Sequence, residues 1–169
     1  MFTKNAKRFL SLVIVSAFLF SFSNPVYQTN FSGTWKLNEG KSELGQFGGR
    51  GVASKLVIDQ KSDGVTVTRN SVNFQGEAVA TTEILTNDGK ETETTLSPNA
   101  KRKASLKWAA DGLTLTITYS ISFDNNGQTF ELKGTENWSL SADGKALTLQ
   151  NSLSTPNGDI AIKAAYDKQ

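Results

Sequence analysis

Leu113-Thr114-Leu115-Thr116-Ile117-Thr118-Tyr119-Ser120-Ile121-Ser122-Phe123, the turn Asp124-Asn125-Asn126-Gly127, and the run Gln128 to Leu140 decide how this chain folds. Apolar and hydroxyl residues alternate strictly through the first run. Strand side chains point to opposite faces in turn, so the apolar set must face a core. The Asn-Gly pair supplies the positive φ that a tight hairpin requires. The second run then returns antiparallel, with Phe130, Leu132, Gly134, Glu136, Trp138 and Leu140 on one face.

The same grammar extends in both directions. Strands are expected at 31–38, 53–60, 65–71, 77–86, 90–97, 101–109, 113–123, 128–140, 145–154 and 159–167. Between them stand Ser62-Asp63-Gly64, Asn87-Asp88-Gly89, Ala110-Asp111-Gly112, Ala142-Asp143-Gly144 and Pro156-Asn157-Gly158, each with Asp or Asn before Gly. Hairpins in series make a meander. One connection is long, the glycine-rich stretch from Glu39 to Val52. A twisted meander of this length curls until its first strand meets its last, which removes both exposed edges. The fold expected is therefore all-β, an antiparallel up-and-down barrel of about eight to ten strands. A two-sheet sandwich is the alternative, but it usually needs long crossing connections, and the long one here is the first loop.

The N-terminus reads differently. Lys4, Lys7 and Arg8 precede an apolar run from Phe9 to Phe22, and Ser21-Phe22-Ser23 offers small residues for cleavage. This is the pattern of a secretory signal peptide over residues 1–23, with the barrel domain over 24–169. The run is shorter than the roughly 20 residues a spanning helix needs, so no membrane span is expected after leader cleavage. A secreted or periplasmic, bacterial destination follows as an expectation. The leader holds three of the 18 basic residues and none of the 16 acidic ones, so the remaining 146 residues have a net charge of −1. Nucleic-acid binding thereby loses its electrostatic support.

Cys and His are both absent. Their absence removes cysteine nucleophiles, the Ser-His-Asp relay, and every metal site that depends on either residue. No catalytic residues, metal or cofactor are expected. Pairs such as Glu91 and Glu93 share a strand face, but nothing in the sequence would raise the pKa of one of them for acid–base work.

Three polar residues fall in the inward phase. Arg69 continues Val65 and Val67, Glu136 lies between Gly134 and Trp138, and Asn151 lies between Leu149 and Leu153. A charge pointing into an apolar interior must be hydrated, paired or meeting a ligand. Arg69 and Glu136 could therefore reach solvent at a barrel mouth or form a structural bridge with each other. In the third reading, Arg69 holds the acidic group of a ligand through its bidentate fork. The candidate ligand-binding set is Arg69, Glu136, Asn151, Tyr119, Trp138 and Phe130. The expected partner is a small lipophilic molecule, with or without an acidic group, carried by a monomer. A structural or interaction module with a filled barrel is the alternative.

The string Phe31-Ser32-Gly33-Thr34-Trp35-Lys36-Leu37-Asn38 resembles the first strand of the lipocalin and wider calycin group, where Gly-x-Trp opens an exported meander barrel. With Lys41-Ser42 and Ala165-Tyr166-Asp167-Lys168, it is similar to secreted bacterial lipocalin-like proteins of unassigned activity. The resemblance implies a closed barrel whose interior takes a small hydrophobic molecule, with Trp35 as a structural plug. In lipocalins a basic residue from the last strand covers that Trp. Here Lys163 falls in the outward phase and Tyr166 in the inward one. Ten strands move the reading toward the fatty-acid-binding arrangement, with the glycine-rich loop in place of its helical lid.

Overall fold

Ten antiparallel strands follow the alternation read from the sequence. They are β1 (Gly33–Leu37), β2 (Lys55–Lys61), β3 (Gly64–Val72), β4 (Ala78–Thr86), β5 (Thr92–Ser97), β6 (Ala100–Trp108), β7 (Leu115–Asn125), β8 (Gln128–Leu140), β9 (Ala146–Thr155) and β10 (Gly158–Lys168). The computed structural model describes residues 27–73, 76–125 and 127–169. The leader pattern at 1–23 lies outside the described residues.

Each strand pairs with its sequence neighbour except β4 and β5, so the turn at Asn87-Asp88-Gly89 does not close the hairpin expected there; β1 pairs with β10 through Trp35↔Lys168, Lys36↔Asp167 and Leu37↔Tyr166. First and last strands thus meet as expected. Full removal of edges does not follow, because β4 and β5 end the hydrogen-bonded order. The inward positions along this seam are Glu83 and Leu85 on β4 and Thr92, Thr94 and Leu96 on β5, and those of β5 are only half-buried. On the β5 side, two of the three inward residues are threonines, which gives that strand little apolar surface to hold against β4. A cleft lined by Ala80, Thr81, Thr82, Ile84 and the run from Thr92 to Thr95 follows the seam.

The segment between β1 and β2 forms two short 3-10 turns, Glu39–Lys41 and Gly45–Gly51. Asn38 caps the first by accepting from the Lys41 N–H, and Ser42 Oγ accepts from the Ala165 N–H to anchor the segment to β10.

One end of the barrel is packed solid. Trp35 is fully buried and donates Nε1–H to the Phe31 carbonyl at 2.9 Å. Phe31 stacks on Trp108 and meets Trp138 edge-on, with centroids 5.8 and 6.0 Å apart. Leu56, Val67, Leu85, Leu106, Leu115, Ile117 and Leu147 fill the remaining space. Each such side chain contributes roughly 1.5–3 kcal/mol by leaving water.

The basic cover over Trp35 is present, but it comes from Lys168, whose Nζ lies 5.1 Å from the ring centroid. Lys168 keeps the phase of Tyr166 one step further along β10. Lys163 points outward and pairs with Glu43. Gly33 makes room for this cover, since a Cβ there would lie 3.0 Å from Lys168 Cε. Leu113 departs from the expected inward phase. It is 59% exposed, because the turn accepting its N–H on Asp111 Oδ1 delays β7 to Leu115.

Candidate functional site

Above the packed end, four charged side chains close a ring inside the barrel. Arg69 of β3 donates Nε–H to Glu83 Oε2 at 2.9 Å and Nη2–H to Glu136 Oε2 at 2.8 Å. Arg102 of β6 donates Nε–H to Glu83 Oε1 at 2.6 Å and Nη2–H to Glu136 Oε1 at 2.9 Å. Every carboxylate oxygen therefore meets a guanidinium, and the four formal charges cancel. Trp138 Nε1 adds a donor to Glu136 Oε2 at 3.1 Å. Glu83, Arg102 and Glu136 are buried.

In this ring Arg69 and Glu136 pair with each other and with Glu83 and Arg102, while Asn151 bonds to Tyr119. Charges this far from water persist only when fully partnered. Burial alone would raise the Glu136 carboxyl, but the Arg69 and Arg102 guanidiniums outweigh it and hold the group at about 2. Burial likewise lowers the Arg69 guanidinium, yet the carboxylates of Glu136 and Glu83 bring it above its ordinary value.

Over the ring lies a cavity of about 300 Å³. Arg69, Glu83, Arg102 and Glu136 form its floor; Ile121, Leu149, Leu153 and Leu96 supply an apolar wall. Tyr119 joins floor to wall. Its ring lies 3.8 Å under the Arg102 guanidinium carbon, and its hydroxyl donates to Asn151 Oδ1 at 2.8 Å. Burial raises the Tyr119 phenol above its ordinary pKa. Gly134 of β8 opens the space that ring needs, since a Cβ there would fall 2.4 Å from Tyr119 Cζ and 2.8 Å from the Ser152 carbonyl oxygen. The cavity leans toward the end that carries the Gly45–Gly51 turn, with Val52, Ser71 and Thr81 also in its lining. Tyr166 donates its hydroxyl to the carbonyl of Ala53, in the stretch after that turn, at 3.0 Å.

Four of the six residues read from the sequence meet at this cavity: Arg69, Tyr119, Glu136 and Asn151. Trp138 lies beneath, within the packed core, and touches the site through Glu136. Phe130 is half exposed and does not line the cavity. It pairs with Phe123 across β7 and β8, beyond the ring. Sequence reading missed Arg102 and Glu83. Both were in phase with apolar residues already assigned inward or evident nearby, Arg102 with Ala104 and Leu106, and Glu83 with Leu85.

Among the described residues, no group of three or more His, Cys, Asp or Glu is placed to hold a metal ion, and no helix is long and apolar enough to cross a membrane. The ring leaves no carboxylate unpaired for acid–base chemistry.

No family model matches the chain, and no curated protein matches it. Among solved structures it is similar to zebrafish ileal bile acid-binding protein in complex with cholic acid. The two are 18% identical with a TM-score of 0.52, and the match covers 82% of this chain and 98% of that one. The likeness supports the fold, a ten-stranded, nearly closed calycin-type meander. It corrects the expectation of a secreted bacterial lipocalin-like protein, because the matched barrel is a fish bile acid-binding protein. The signal-peptide-directed, secreted or periplasmic placement is withdrawn with it.

Proposed function

We propose that the protein binds a small amphipathic molecule in the cavity above the Arg–Glu ring and performs no catalysis. The observation that carries this reading is an interior space of about 300 Å³ with an apolar wall and a polar floor. That volume stands at the lower end of small-molecule sites, which run from about 300 to 1,000 Å³. The cholic acid held by the zebrafish protein supports a small lipophilic partner for a barrel of this kind. A monomer suffices, since all residues of the site come from one chain.

The apolar body of the ligand lies against Ile121, Leu149 and Leu153, and its polar end faces the ring, Tyr119 and Asn151. Titration of the purified protein with medium-chain lipophiles, followed by tryptophan fluorescence, tests the reading. Trp138 reports on the floor through its bond to Glu136. A saturable change with one ligand per chain is expected, and no response from any lipophile up to its solubility limit contradicts the proposal. The charge-paired ring and the solid half of the barrel favour a second reading, a structural module with no cargo, and the same negative titration would select it.

A further inference from the structure

We infer that Glu83 and Glu136 determine specificity, and that they tune the cavity to a ligand with an uncharged, oxygen-bearing head rather than a free carboxylate. The inference rests on the ligand-binding reading above. Among the described residues, Nη1 of Arg69 and of Arg102 makes no hydrogen bond, whereas every fully buried side-chain nitrogen or oxygen has a partner. The two Nη1 groups are therefore not fully buried, and both arginines line the cavity. Asn151 Nδ2 is in the same position, since Asn151 accepts from Tyr119 through Oδ1 only. The floor thus offers open N–H donors to a ligand oxygen.

Donors alone do not select an anion. A carboxylate entering the cavity gives up water, a loss that only a net opposite charge offsets. Here the positive charge of each guanidinium is already matched by Glu83 and Glu136 at 2.6–2.9 Å. An acid reaching Nη1 meets a cluster of zero net charge and also approaches two carboxylates. Its oxygens would compete with the two glutamates for the same guanidinium charges. A hydroxyl, ester or ketone oxygen needs a single open N–H and no net charge. The glutamates therefore act as a counter-charge that excludes acids, which is how like-charge juxtaposition yields selectivity.

The test compares decanol, methyl decanoate and decanoic acid on the unmodified protein at about pH 7, below their aggregation limits. The alcohol and ester should bind at least about tenfold more tightly than the acid, which corresponds to about 1.4 kcal/mol. Glu83→Gln leaves the ring with one excess positive charge and should shift the acid-to-alcohol affinity ratio toward the acid by about tenfold or more. Acid binding as tight as or tighter than the alcohol on the unmodified protein overturns this inference and leaves the ligand-binding reading standing. Failure of all three probes, with the wider lipophile panel also silent, removes the ligand-binding reading itself. The unmodified comparison holds its meaning even if Glu83→Gln does not fold.

Discussion

Arg102 on β6 donates Nε–H to Glu83 on β4 at 2.6 Å, and this contact passes over the break in the strand order between β4 and β5. No backbone ladder joins those strands, so the side-chain ring carries a connection that hydrogen-bonded strands supply elsewhere. Breaking it should be expensive, because removing one member of a buried pair strands the other's charge. Arg102→Met should lower unfolding free energy by about 3–5 kcal/mol in urea denaturation. Amide hydrogen exchange should rise in β4 and β5 while β8, β9 and β10 stay protected. A uniform rise across all strands would deny the ring any special hold on the seam.

Gly134 and Tyr119 face each other across β7 and β8 in register. An alanine at 134 would collide with the tyrosine ring and with the Ser152 carbonyl. Gly134→Ala should destabilise the protein by about 1–3 kcal/mol, as overpacking does. It should also displace Tyr119 from Arg102, read as a changed tyrosine ring environment by NMR. Wild-type stability with an unmoved tyrosine would show that the contact is looser than the geometry states.

Acid should unfold the protein through the ring. Glu136 titrates at about 2 when folded, below the ordinary carboxylate value of 4.5. A group whose folded pKa is depressed contributes stability above its unfolded pKa and loses it as pH falls through the folded one. The Glu136 contribution, on the order of 3 kcal/mol, should therefore be intact above about pH 5 and disappear progressively toward pH 2. Denaturation midpoints measured across that range check it. In Glu136→Gln the loss over the same window should be smaller, and an unchanged slope would place the titrating group elsewhere.

Tyr166→Phe removes the donor to the Ala53 carbonyl that ties β10 to the chain after the Gly45–Gly51 turn. An unsatisfied buried acceptor costs about 1–3 kcal/mol. The melting temperature should fall accordingly, with faster amide exchange at Val52 to Ser54 than in β7. No change in melting temperature would mean that water replaces the phenol without penalty.

Much of the barrel was legible because its information is local. The Asp-Gly and Asn-Gly turns fix the hairpins everywhere but at Asp88-Gly89, whose flanking strands do not pair, and the alternation from Leu115 to Ile121 fixes which face is inside. The inward placement of Arg69 and Glu136 followed from the same phase. The partners of those charges did not, since Glu83 and Arg102 reach them from strands whose distance in space depends on how the sheet curls. The seam was hidden for the same reason. β4 and β5 alternate like their neighbours, and only the full closure shows that they fail to pair. Phe130 was misplaced because β8 outruns the barrel, so an inward phase at its first residues no longer means an interior.

The central claim is that the space above the ring receives a ligand. Calorimetric titration with decanol, on the unmodified protein and on Leu153→Trp, tests it most directly, because an indole at 153 projects into the cavity wall. The account predicts one binding event per chain in the unmodified protein and at least a tenfold loss in the variant, with both proteins equally folded by circular dichroism. Equal binding by the two, or heat from neither, would contradict it.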